Sequence, residues 1–150
     1  MAKVDSSIFI DAPAEQVFRR IAQHDRCNDW LVFVRRAYYP TPQTTGVGTL
    51  AHQEGEILGR KMEWDGEVVE WVDNERIVWK ATSGQPKRMK MRALNRVRTE
   101  GGGARYSLEV HYEMPYSLIG KALDVLWVRR RLKEDLRKSV ERLKAVLEGG

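Results

Sequence analysis

His52 and Glu54 stand two residues apart in Leu50-Ala51-His52-Gln53-Glu54, and on an extended strand that spacing puts both side chains, with Leu50, on one side. An imidazole beside a carboxyl is the minimum needed to relay a proton, so the two are candidates for general acid/base chemistry. The alternation fits either face: if Thr49, Ala51 and Gln53 point inward instead, His52 and Glu54 are surface residues. Asn95, Tyr106 and Tyr112 are further polar candidates on later strands, the tyrosines as proton donors or as core aromatics with bonded hydroxyls. His24, His52 and His111 are dispersed, and Cys27 is the one cysteine, so the spacing predicts no metal cluster. Cys27 reads as a small buried apolar residue rather than a nucleophile, and His24 nearby in sequence need not touch it. Gly101, Gly102 and Gly103 form a turn and not a phosphate loop, because neither a helix start nor a Lys-Ser/Thr pair follows.

These groups need strands to hold them. Tyr106, Leu108, Val110, Tyr112 and Met114 alternate with Arg105, Ser107, Glu109, His111 and Glu113, a period of two that predicts a half-buried strand. Ile77, Trp79 and Ala81 alternate in the same way, as do Met62, Trp64 and Val68. Met89, Met91, Ala93 and Val97 share one face of a strand whose other face carries Lys90, Arg92, Arg96 and Arg98. Turns are expected at Gly46 and Gly48, Asp73 and Asn74, Ser83 to Pro86, and Gly101 to Gly103. With a first strand from Val4 to Ile10 this makes an antiparallel meander of six or seven strands.

Two short helices follow the first strand. Asp11-Ala12-Pro13 with Glu15 and Gln16 predicts a helix start whose inner face is Val17, Phe18 and Ile21. A second runs from about Asp25, a candidate N-cap, to Trp30, which anchors it. The tail from Ser117 to about Glu148 is a helical pattern on the order of 45 Å long, with Leu118, Ala122, Val125, Leu132, Leu136, Val140, Leu143 and Leu147 on one stripe. Residues 118 to 128 are apolar nearly all round and Arg129 falls on the stripe, which predicts a bend or break near Val128 to Arg130. The first segment would then lid a cavity, contact a membrane peripherally or bury a homodimer interface.

With 150 residues, 42% of them hydrophobic, the chain is expected to form one domain, residues 1–150. A single cysteine and no apolar leader predict a soluble cytoplasmic protein. The net charge of +5 is concentrated in Lys87, Arg88, Lys90, Arg92, Arg96 and Arg98, read as the solvent face of a strand. Nucleic acid ranks last as a partner, since no recognition motif with interleaved exposed aromatics accompanies these charges.

Taken in order, Ile10-Asp11-Ala12-Pro13 with Glu15 and Val17, then Asp25 and Trp30, then Gly46-Val47-Gly48-Thr49, resemble motifs of the polyketide cyclase/dehydrase branch of the START-like (SRPBCC) superfamily. Glu67, Val68 and Glu70, followed by Glu75, Arg76, Ile77, Trp79 and a Ser83-Gly84 turn, are similar to its central segment. The stretch from Gly102 to Tyr106 resembles the turn before its last strand. The resemblance covers nearly the whole chain and implies an α+β helix-grip fold, a curved antiparallel sheet wrapped around the long C-terminal helix. Between them it implies an apolar cavity for a small hydrophobic molecule such as a lipid, a quinone or an aromatic or polyketide metabolite, with no cofactor. Leu50, Met62, Trp64, Trp79, Met91, Asn95, Tyr106, Leu108, Tyr112 and Val125 are its expected lining. The alternative is a cyclase/dehydratase, with His52, Glu54 and Tyr106 as catalytic candidates. Aromatic cyclases of the superfamily direct a neighbouring Trp and Arg into the cavity from central strands. Arg60 and Trp64 resemble that pair loosely, Arg60 falling at a strand start, so those roles are not carried over.

Overall fold

The computed structural model describes residues 2–85, 90–113 and 122–149, with backbone alone at 85 and 122–125. Seven strands form one antiparallel sheet: β1 (Ala2–Ile10), β2 (Val34–Tyr38), β3 (Leu50–Ile57), β4 (Arg60–Val72), β5 (Arg76–Gln85), β6 (Lys90–Glu100) and β7 (Gly103–Glu113). Their spatial order is β1-β7-β6-β5-β4-β3-β2, so β2 to β7 is a meander and β1 closes onto the last strand. The sheet curls into a half-barrel gripped by a long C-terminal helix, the helix-grip arrangement expected. Between β1 and β2 lie helix α1 (Ala14–Ala22) and a 3-10 helix, His24–Asp29. Helix α2 (Ala122–Glu148) packs mainly along β1, with a smaller contact to β7.

The inward residues are those the period of two selects. Tyr106, Leu108, Val110 and Tyr112 are buried on β7, and Met62, Trp64 and Val68 on β4. Lys90, Arg92, Arg96 and Arg98 are exposed on the outer face of β6 while Val97 is buried. Burying side chains of this size is worth roughly 1.5–3 kcal/mol each, which is why register follows the apolar set. The β3–β4 hairpin turns through Leu58 and Gly59, both with positive φ, as a two-residue hairpin loop requires. Gly55 lets the chain before β2 approach closely, since a Cβ there would sit 1.9 Å from the Phe33 carbonyl oxygen.

Three local expectations are corrected. Ser83 and Gly84 are paired strand residues opposite Asp65 and Trp64 rather than a turn, because β5 runs on to Gln85; Pro86, Lys87, Arg88 and Met89 lie outside the described residues. The second helix begins one residue before Asp25, with Gln23 in the capping position and no side-chain cap. Helix α2 is continuous from Ala122 to Glu148, so there is no break at Val128 to Arg130, and Arg129 is exposed. The buried side of the helix passes through Val128, Leu136, Ser139, Val140 and Leu143. Of the segment 118–128 expected to lid the cavity, residues 118–121 lie outside the described residues, and the rest belongs to α2.

Polar ties fix the helix. The Ser139 hydroxyl accepts from the Val32 N–H (3.1 Å) and donates to the Asp135 carbonyl (2.8 Å), joining α2 to the loop before β2. At its far end Lys144 donates to the Phe9 carbonyl (3.0 Å), and Glu148 accepts from the Asp11 N–H (2.8 Å) and pairs with Lys144.

Candidate functional site: an internal cavity

Between the concave face of the sheet and α2 lies a cavity of about 570 Å³, within the range of small-molecule sites. The sheet supplies Gln53, Met62, Trp64, Gly66, Trp79, Ala81, Met91, Ala93 and Asn95, with Leu108, Val110 and Tyr112 from β7. Helix α2 supplies Val128, Leu132, Asp135 and Leu136, and His24, Trp30 and Leu31 enter from the 3-10 helix and the loop that follows. Exposed Arg60, Glu113 and Trp127 belong to the rim, Trp127 being 54% exposed, while the exposed Lys80 lies on the outer face opposite Glu67 and Arg92.

The 3-10 geometry explains the last group. With three residues per turn, side chains three apart eclipse one another, so His24, Cys27 and Trp30 share one face, and all three are buried. His24 stacks on Trp79 with ring centroids 4.2 Å apart, and its Nε2 lies 4.0 Å from Cys27 Sγ. Burial lowers the His24 pKa to about 4, against smaller upward pulls from the Gln53 side chain and Asp25, so the imidazole is neutral near pH 7. Burial pushes the Cys27 thiol up to about 12, which removes it as a nucleophile.

Further along the wall, Tyr106 donates its hydroxyl to Asn95 Oδ1 (2.5 Å), and Asn95 Nδ2 donates to the Ile77 carbonyl (3.2 Å). The pair satisfies itself. Trp30 packs edge-on against Tyr106 at 5.8 Å and is 2% exposed, and its Nε1–H has no hydrogen-bond partner among the described residues.

Of the residues expected to line a cavity, Met62, Trp64, Trp79, Met91, Asn95, Leu108 and Tyr112 do so. Tyr106 is fully buried behind the wall with its hydroxyl occupied. Leu50 lies on the opposite face of β3, and the Val125 side chain is outside the described set. His52 and Glu54 share that outer face, because Ala51 and Gln53 take the inward positions. There His52 Nδ1 bonds Asp65 (2.7 Å) and Glu54 pairs with Arg36 (3.3 Å). Cross-strand pairing also brings Glu63 beside them, so ligand atoms of His52, Glu54 and Glu63 lie within 4.8 Å of one another, a grouping the linear spacing does not show. Existing ion pairs already occupy it. Gln53 faces inward as one of the two readings of β3 had it, whereas His24 and Trp30 were not expected in the wall; the signal for them was the three-residue spacing of His24, Cys27 and Trp30.

Comparisons with known proteins add to this geometry. The family described as "Polyketide cyclase / dehydrase and lipid transport" matches residues 1–148. An uncharacterized 17.2 kDa protein of Streptomyces lincolnensis, from the melC2-rnhH intergenic region, is 24% identical over 148 residues, spanning 99% of this chain and 91% of that one. The crystal structure of TTHA0849 from Thermus thermophilus superposes with a TM-score of 0.84 at 21% identity, covering 99% of this chain and 98% of that one. A START superfamily protein from Mycobacterium smegmatis gives 0.79 at 14% identity, covering 98% and 97%. The di-domain ARO/CYC BexL from the BE-7585A biosynthetic pathway gives 0.73 at 18% identity, covering 99% of this chain and 47% of BexL.

Proposed function

The chain belongs to the polyketide cyclase/dehydrase and lipid transport family, and from that premise we propose that it binds a small hydrophobic molecule, such as a lipid, quinone or aromatic metabolite, inside the half-barrel. The observation that carries the reading is the cavity of about 570 Å³ walled by Met62, Trp64, Trp79, Met91 and Leu108, with its charged side chains at the rim or on α2. A dry wall of aromatics and methionines rewards any apolar guest of suitable size, and methionines adapt to its shape. Native mass spectrometry of the purified protein, followed by solvent extraction, tests it. The expected result is a bound apolar molecule, or uptake of one from an added lipid and quinone extract. A protein that stays empty in both conditions contradicts the proposal.

His24 supports a second reading, in which the cavity closes the rings of a poly-keto chain. An imidazole neutral near pH 7 and open to the cavity is able to accept a proton from an activated carbon acid. Conversion of a linear poly-keto substrate to a cyclised product, lost in His24→Phe, would establish it.

A further inference from the structure

Helix α2 carries one acidic residue on the side it turns to the cavity. Val128, Leu132 and Leu136 line the cavity from this helix, and Asp135 falls in the same series, seven residues after Val128 and three after Leu132. Seven residues are about two helical turns, which returns a side chain to nearly the same bearing. Asp135 accordingly lines the cavity and is half-buried. Its backbone is closed within the helix, the carbonyl also accepting from the Ser139 hydroxyl, so it is the side chain that meets the cavity. Ser139 in turn accepts from the Val32 N–H, which pins the turn bearing Asp135 to the loop before β2. Of the two carboxylates among the lining residues, Glu113 pairs with Lys90, whereas that of Asp135 makes no hydrogen bond or ion pair among the described residues. Burial raises its pKa against the downward pulls of Arg131 and Lys138, which are exposed one turn away on either side.

Resting on the cavity reading above, we propose that the ligand is a hydroxylated hydrophobe, an alcohol or phenol, whose O–H donates to the Asp135 carboxylate while its apolar body fills the space walled by Trp64, Trp79 and Met91. A carboxylate accepts and cannot donate, and a hydroxyl given to it makes a charge-assisted hydrogen bond, the stronger kind. A ketone or ether has acceptors alone to offer and gains nothing at this position. An anionic guest meets like charge in Asp135, and an ammonium meets it in Arg131 and Lys138. Asp135 thus selects among apolar guests of similar size for one that carries a neutral donor.

Four naphthalenes test this by equilibrium dialysis against the native protein, Asp135→Asn and Asp135→Leu: 2-naphthylmethanol, 2-ethylnaphthalene, 2-acetylnaphthalene and 2-naphthylmethylamine. Each affinity is divided by that of the ethyl compound for the same protein, so that differences in hydrophobicity cancel. The relative affinity of the alcohol is expected to fall roughly tenfold from native protein to Asp135→Leu, and in the same direction but less in Asp135→Asn, which keeps the shape of the side chain and carries the test if the leucine variant does not fold. That of the ketone should stay constant. An alcohol ratio that is the same in native protein and variants overturns the hydroxyl contact and leaves the cavity reading standing. A larger fall for the amine than for the alcohol overturns the choice of a neutral donor. Failure of all four to bind the native protein overturns the cavity reading with it.

Discussion

His24 has its environment chosen by three neighbours: Trp79 beneath the ring, Cys27 one 3-10 turn on, and Gln53 across the cavity wall. Burial among them outweighs the upward pulls of the Gln53 hydrogen bond and of Asp25, and so the pKa falls from 6.5 to about 4. A depressed pKa in the folded state means that the unfolded chain binds the proton first as pH drops. The stability due to neutral His24 is therefore present above pH 6.5 and lost as pH falls toward 4, by about 3 kcal/mol across that range. Urea denaturation at several pH values checks this: the difference in unfolding free energy between the native protein and His24→Phe should shift by that amount against the native protein, whereas a constant difference would mean that the buried imidazole is not what the acid titrates. Little of this was legible in the sequence. The spacing of His24, Cys27 and Trp30 looks ordinary on an α-helix and becomes a common face only with three residues per turn. His52 and Glu54 pose the opposite problem, since a strand with small or polar residues on both faces leaves the inward set undetermined until Ala51 and Gln53 are seen buried.

At the scale of elements the reading from sequence succeeded where one face is much more apolar than the other. β4, β6 and β7 carry wide hydropathy contrast between alternate positions, so their faces and much of the cavity wall could be assigned in advance. It failed where context overrides composition. Ser83-Gly84 looks like a turn but is held in the sheet by pairing with Asp65 and Trp64, Gly84 leaving the Trp64 Cβ just 3.3 Å from where its own Cβ would stand. The continuity of α2 past Arg129 reflects that an exposed arginine can reach water without breaking the helix. Seating α2 depends on Ser139, fully buried and bonded to both the Val32 N–H and the Asp135 carbonyl. Ser139→Ala leaves a backbone donor unsatisfied and should cost about 1–2 kcal/mol, read as a lowered urea midpoint at unchanged slope. Full retention of stability would show that the tie is not part of what holds the helix against the sheet.

For the whole molecule, the sheet's curl and the grip of α2 serve one purpose, keeping a space open that close packing would otherwise fill. Keeping it open costs contacts between the walls, and a guest that restores them stabilises the fold by mass action. Among the described residues no helix is long and apolar enough to cross a membrane. Leu126 and Trp127 are exposed on α2, Trp127 at the cavity rim. Filling the cavity separates binding inside from adsorption outside. Ala93 lines the wall on β6 between Trp79 and Val110, and Ala93→Trp would place an indole in the space without disturbing the outer face. Titration with the neutral fluorophore N-phenyl-1-naphthylamine should give saturable binding of one dye per native chain, and at least tenfold weaker binding to Ala93→Trp at a comparable melting temperature. Equal affinity in both proteins, or no saturable binding to the native chain, would contradict the assignment of the cavity as the ligand site.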